Sequence, residues 1–362
     1  MCAVLEVLLP VASHAAARST RVGVTPADAR AIDALFAPYR GHNTPGAAVA
    51  VVDRGHVVFV RGYGLANLET KRPITDRTNF RLASLTKAFT ATAILLLVND
   101  GLLRLDDHVR EILPDFPSYG SAIRIRHLLT HTSGLDAYEG FIAPGQRGPV
   151  RDHDVLGLLR RADRLLFPPG SAFRYGDSGY AVLGLVVEAV SGRPFARFLK
   201  DRIFARAGMS STSAWAPGGD ELPNRAIGYA ASSDRFREAD HSVTSGVLAD
   251  GGVYSSVHDL IAWDRALDQH RLVPEPLQTL AWTPATLADG AATHYGFGWY
   301  LDRDALGTYA HHRGETTGFT HCIIKYPSRR LTVIVLTNRR GGAPDDIAST
   351  ITRLASFRRA DG

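Results

Sequence analysis

The sequence predicts an α+β protein: an antiparallel sheet flanked by helices and built from both ends of the chain, with a mostly helical region inserted between them. Short β-rich runs separated by turns occur near the start, at 47–63, and return near the end, at 320–337. The stretch between them carries helical periodicity broken by Pro and Gly. With 362 residues, 45% hydrophobic and 21% charged, the chain has ample material for a core.

In chain order, Ala3 to Ala17 is apolar and ends in Ala-Ala-Ala, which suits a signal peptide. No Arg or Lys precedes the run and Glu6 interrupts it, so residues 1–24 read as a degenerate signal peptide or an N-terminal extension. A periplasmic or secreted location goes with the first reading, and a cytoplasmic one with the second. Nowhere are there ~18 consecutive apolar residues, so no membrane span is expected. Ala47–Asp53 and His56–Tyr63 flank Arg54-Gly55 and read as a hairpin. From Ser84 to Asn99 one broad apolar face (Phe89, Ile94, Leu95, Leu97, Val98) marks a helix that Gly101 is placed to end. Arg124–Leu129, Val155–Leu166 and Tyr180–Val190 are the helical candidates of the insertion. Ser256-x-x-Asp259 fits a capping box opening a further helix. Thr320–Tyr326 and Leu331–Thr337 read as strands around a Pro-Ser-Arg-Arg turn, and Asp345–Phe357 as a closing helix. The division that follows is a sheet domain from 25–85 and 225–362, with a helical domain at 86–224.

Bulk properties remove several functions. The net charge of +5 comes from scattered arginines, with no stripe for a nucleic acid. Cys2 and Cys322 do not make a disulfide framework. His127-x-x-x-His131 has helical spacing but lacks the Glu of His-Glu-x-x-His, so no metal and no cofactor are expected. Gly176-Asp177-Ser178-Gly179 matches the nucleophile segment of chymotrypsin-like proteases, yet the middle of the chain does not read as paired β-barrels. Gly-x-Ser-x-Gly is absent.

One pair carries chemistry. The chain holds four lysines against thirty-seven arginines, and only lysine can give up its proton. Lys87 follows Ser84 by one helical turn, about 5–6 Å between Cβ atoms, and is a candidate base for that weak nucleophile.

Further stretches join this Ser-x-x-Lys in a fixed order: Ile125-Arg-His-Leu-Leu-Thr-His-Thr-Ser-Gly-Leu135, Tyr175-Gly-Asp177 and His312-Arg-Gly314 followed by Glu315. Arg61-Gly-Tyr-Gly64, Gly251-Gly-Val-Tyr-Ser255 and Tyr295-Gly-Phe-Gly-Trp299 accompany them. Over residues 45 to 340 the chain resembles the serine β-lactamase-related family, which contains class C β-lactamases, D-Ala-D-Ala carboxypeptidases, D-aminopeptidases and β-lactamase-like esterases. The resemblance implies a β-lactamase/transpeptidase-like fold. It makes Ser84 the nucleophile, Lys87 its partner and Tyr175 a proton carrier. His312-Arg313-Gly314 takes the place of Lys-Thr-Gly, and the amides of Ser84 and Glu315 form the oxyanion hole.

Two departures matter. Asp177 stands where Asn is usual; an ionised Asp would hold Lys87 as an ammonium and shift the base role toward Tyr175. Arg313 stands where relatives carry a hydroxyl; it either binds a substrate carboxylate bidentately or turns out of the cleft. The expected function is that of a serine hydrolase acting through an acyl-enzyme on an ester, a D-amino-acid peptide or a β-lactam. The alternative is a catalytically weak protein of the same fold that binds penicillin or a peptidoglycan fragment.

Overall fold

The hairpin read from the sequence forms β1 (Ala47–Asp53) and β2 (His56–Tyr63). Its turn residues Arg54 and Gly55 both have positive φ, 53° and 78°. Two such residues give a twist that matches the flanking strands. The computed structural model describes residues 24–233 and 235–357; the expected leader or extension, with Cys2, lies outside them. Four later strands complete one antiparallel sheet: β3 (Tyr300–Asp304), β4 (Gly307–Thr316), β5 (Phe319–Tyr326) and β6 (Leu331–Thr337). The order is β3-β4-β5-β6-β1-β2. β1 lies against β6 with Ala47 opposite Thr337 and Asp53 opposite Leu331, so the two ends of the chain meet at the centre of the sheet. β3 and β4 are not in the sequence reading. Their polar residues (Tyr-Leu-Asp-Arg-Asp, and His-His-Arg-Gly-Glu in β4) hide the alternation that marks a half-buried strand.

Period-two alternation sorts the side chains of β1 and β6 between two cores. Val49, Val51, Val333 and Val335 face helix α1 (Pro26–Leu35) and helix α5 (Pro344–Phe357), meeting Ile32, Phe36, Ile347 and Ile351. Ala48, Ala50, Ile334 and Leu336 face the other way, into a larger core. That core centres on α2 (Thr86–Asn99), α3 (Ser178–Ser191) and α4 (Val257–Asp268). Thr86 to Leu97 of α2 are buried on every side, not on one face as its pattern suggests. Burial that complete is tolerated because Thr90 and Thr92 donate to the carbonyls of Ala249 (2.7 Å) and Ala88 (2.8 Å).

A buried ionic cluster fastens α4 to the sheet. Lys325 of β5 donates to Asp264 (2.7 Å) and Asp268 (2.6 Å) of α4, and Thr332 of β6 donates to Asp264 (2.6 Å). Ser256 caps α4 by accepting from the Asp259 amide (3.2 Å). The reciprocal half of the expected box is missing: the Asp259 carboxylate instead accepts from Ser211 and Thr212.

The insertion is helical but fragmented. The helix expected over 155–166 spans Asp152–Leu159. Leu166 lies beyond it in a loop, its amide bonded to the Gly134 carbonyl (2.8 Å), so part of that apolar run serves loop packing. Among the described residues no helix is long and apolar enough to cross a membrane.

Candidate active site

Ser84 lies in a tight turn, Ala83–Leu85, that runs straight into α2. Ala83 holds φ at 50°, a left-handed conformation costly to a residue with a Cβ, at about 1–3 kcal/mol. Ser84 stays partly exposed while Ala83, Leu85 and Lys87 are buried. The Lys87 ammonium has one acceptor for each proton: Ser84 Oγ (3.0 Å), Asp177 Oδ1 (2.6 Å) and the Asp250 carbonyl (3.0 Å). Burial alone would pull the Lys87 pKa down, but the Asp177 charge, with Tyr175 and Asp250, outweighs it and the net shift is upward. Lys87 is therefore a cation that donates to Ser84. The same pairing lowers the Asp177 pKa against the opposing effect of burial. Asp177 also sits at the N-terminus of α3, whose dipole favours an anion.

Tyr175 sits in the loop leading to α3, with its phenol near enough to Ser84 and Lys87 for both to favour its ionised form. The Lys87 Nζ stands 5.1 Å from the centre of the Tyr175 ring. Burial raises the phenol pKa, and the Lys87 charge only partly offsets it.

His312, on β4, is buried with its ring 6.0 Å from that of Tyr175. Its Nδ1 lies 2.7 Å from the Arg313 carbonyl, which can only accept, so the proton sits on Nδ1. Nε2 then accepts from the Tyr295 hydroxyl (3.1 Å). Burial, helped by Lys87, pushes the imidazole pKa down to about 3. His312 is thus a neutral wall of the cleft, bonded to Tyr295. Gly314 permits the approach of β4 to the nucleophile turn: a Cβ there would lie 2.2 Å from the Leu82 carbonyl oxygen.

Alternation along β4 decides the fate of Arg313. His312 and Gly314 face the cleft, so Arg313 and Glu315 face the opposite side of the sheet. There Arg313 pairs with Glu315 (3.0 Å) and with Asp345 of α5 (3.5 Å). Of the two orientations open to Arg313, the one turned out of the cleft is found, and its guanidinium is not a substrate ligand. Glu315 contributes no side chain to the cleft either.

Three participants, Glu139, Asp250 and Tyr295, are not assigned to the site by the sequence reading. Carboxyl oxygens of Glu139, Asp177 and Asp250 lie within 4.8 Å of one another. Such a group could hold a cation, and the Lys87 ammonium already bonds to the Asp177 side chain and the Asp250 carbonyl. Burial and the Asp177 charge push the Glu139 pKa up to about 7. Asp250 is also raised, first by burial and then by Asp177, and accepts from the Tyr138 hydroxyl (3.0 Å). Only adjacency to the Gly251-Gly252 and Thr132-Ser133-Gly134 segments hints at these acids. Tyr295, the third, opens the Tyr-Gly-Phe-Gly-Trp segment. Trp299, Phe319 and Tyr254 are core residues, Trp299 stacking on Trp263 at 5.7 Å.

A sheet made from both ends of the described chain with an interposed helical region is the β-lactamase/transpeptidase-like fold, and the Ser84, Lys87 and Tyr175 cluster lies at the junction of the two parts. A family profile described as Beta-lactamase matches residues 32–356. The chain belongs to the Beta-lactamase family. It is similar to penicillin-binding protein 4* of Bacillus subtilis (strain 168), at 33% identity over 308 residues, 80% of this chain and 67% of that protein. A D-aminopeptidase of Gluconobacter oxydans (strain 621H) is 32% identical over 320 residues, 86% of this chain; the chain spans 59% of that relative's length. Among solved structures, a penicillin-binding protein from Bacillus halodurans superposes with a TM-score of 0.78 at 27% identity, covering 90% of this chain and 99% of that one.

Proposed function

We propose that the protein is a serine hydrolase working through a covalent acyl-enzyme on Ser84, with D-amino-acid amides and short D-peptides bearing a free amine as its preferred acyl donors. The observation that carries the reaction type is the convergence of Ser84, Lys87 and Tyr175: Lys87 donates to Ser84 Oγ (3.0 Å) and stands 5.1 Å from the centre of the Tyr175 ring. Lys87 donates to Ser84 Oγ, leaving the serine proton for Tyr175. With the phenol ionised, Tyr175 takes that proton as Oγ bonds to the carbonyl carbon. It returns the proton to the leaving amine or alcohol as the tetrahedral intermediate collapses. Water repeats the sequence to release the acid and free Ser84. Lys87 stays an ammonium throughout, stabilising the serine oxygen. The Ser84 amide lies in the first turn entering α2, where amides lack intrahelical partners, and Gly314 brings the Glu315 strand beside it.

Charge supports the substrate class. Arg313, the cation available for a substrate carboxylate, is turned away. Lys87 balances the charge of Asp177, so the adjoining Glu139, ionised above about pH 7, is the group that suits the cleft to an ammonium. This agrees with the similarity to a D-aminopeptidase and disfavours carboxylate-bearing β-lactams. Small esters follow as accessory substrates. The test compares D-alanine p-nitroanilide, p-nitrophenyl acetate and nitrocefin, with Ser84→Ala as control. Turnover of the amine substrate with the highest kcat/KM is expected, and Ser84→Ala should lose both turnover and fluorophosphonate labelling. Labelling that survives in Ser84→Ala rejects the nucleophile. Absence of burst and turnover on all three reagents favours a binding protein, a reading motivated by the protonated Lys87 and Tyr175.

A further inference from the structure

We propose that His131 is a positioning residue that clamps Tyr175 in register with Ser84, through the peptides on either side of the tyrosine and through its ring. The proposal rests on Tyr175 being the proton carrier.

Tyr175 lies in the loop before α3, and a loop by itself does not hold a phenol to the tolerance that proton transfer needs. His131 supplies the missing restraint from a distant segment. Its carbonyl accepts from the Arg174 amide (2.9 Å), and its Nδ1 accepts from the Gly176 amide (3.4 Å). One residue therefore grips both neighbours of Tyr175. Its ring lies against the Tyr175 ring, centroids 4.4 Å apart. Tyr180 (5.1 Å) and Tyr295 (4.6 Å) contact the imidazole as well.

This conformation is costly on two counts. His131 holds φ at 56°, in the left-handed region, just beyond the helix Ile125–Leu129. The sequence spacing from His127 is thus not that of one helix face. Moreover, the residue is 4% exposed, and its Nε2 has no hydrogen-bond partner among the described residues. Because Nδ1 accepts, the neutral ring carries its proton on Nε2, which is surrounded by aromatic rings; Tyr295, inclined at 66°, offers a π contact. Lys87 and His312 are the titratable groups whose charge bears on the ring, and both, after burial, disfavour its protonation. A protonated Nδ1 would lose the Gly176 bond. A strained, buried, neutral histidine that spends its acceptors on the flanks of one tyrosine is what a clamp requires.

Two substitutions separate clamp from filler. His131→Phe keeps the ring and removes the Nδ1 acceptor; His131→Asn keeps an acceptor and tolerates the left-handed backbone. His131→Phe should lower kcat about 10- to 100-fold with KM little changed, the size expected for a misplaced reacting group. It should also move the alkaline rise of the pH–rate profile to higher pH, and His131→Asn should recover part of the loss. A folded His131→Phe with wild-type kcat and pH profile overturns the clamp. If neither variant folds, nitrogen-15 NMR of wild-type protein decides: the His131 ring should remain the neutral Nε2–H tautomer from about pH 5 to 9, and an imidazolium in that range overturns the proposal. Tyr175→Phe keeps the two readings apart. Full activity in that variant removes the proton carrier itself, whereas a dead Tyr175→Phe beside a wild-type His131→Phe removes only the clamp.

Discussion

Lys87 is the residue on which the chemistry turns, and Asp177 determines its state. A carboxylate 2.6 Å from the ammonium keeps the proton in place, so the lysine does not act as a base near neutrality. With Tyr175 also raised, the proposed proton carrier is active only once its phenol is ionised, and kcat/KM should climb about tenfold per pH unit into the alkaline range. Replacing Asp177 by Asn removes an anion that raises both Lys87 and Tyr175. Both pKa values fall, so the rise should shift to lower pH; initial rates across pH 6–11, about five units, measure it. A profile that stays in place removes Asp177 from the mechanism. Ala83 offers a test of the nucleophile turn. Ala83→Gly relieves the left-handed strain and should raise stability by up to ~1 kcal/mol in denaturant melts, while a looser turn lowers kcat.

At the level of elements, the joint between α4 and the sheet is ionic where most of the surrounding core is apolar. Lys325 is 1% exposed and is balanced by Asp264 and Asp268, 3% and 6% exposed. Asp264→Ala leaves Lys325 paired with Asp268 but takes the acceptor from the buried Thr332 hydroxyl and one from the ammonium, so it should destabilise the protein by about 1–3 kcal/mol in urea unfolding. The exchange Lys325→Met should also destabilise, since it leaves two buried carboxylates facing an apolar side chain. Ser256 is a smaller case: Ser256→Ala loses one N-cap bond, for about 1 kcal/mol. α2 and the hairpin were legible in the sequence because their patterns depend on neighbours a few residues away. β3 and β4 were not, because as polar strands at one edge of the sheet they derive their order from β5, not from their own composition.

For the molecule as a whole, the division into a sheet domain and a helical domain is a matter of topology more than of energetics. One core cluster contains Ala48, Ile323 and Leu336 of the sheet together with Leu128, Val155 and Val182 of the insertion. We propose that the two parts unfold together, giving one calorimetric transition; two resolved transitions would count against it. Stability should also depend on pH through the buried acids. Glu139, raised to about 7, and Asp152, raised to about 6, bind protons more tightly when folded than when unfolded. Their contribution to stability is therefore full below their unfolded values and is lost as pH rises through the folded ones. Glu139→Gln should flatten the fall between about pH 5 and 7 in thermal melts.

The amino-acid order by itself determined the ends-and-middle architecture and singled out Ser84, Lys87 and Tyr175 as the candidate site. Those follow from local periodicity and from motifs whose spacing is written along the chain. Only the folded arrangement decided that Arg313 leaves the cleft while His312 stays, since one step along a strand reverses the face and the register comes from the neighbouring strand. It likewise brought Glu139 and Asp250 beside Asp177, and His131 around Tyr175. These are encounters between segments far apart in sequence, and their energetics depend on burial that no short window of residues encodes.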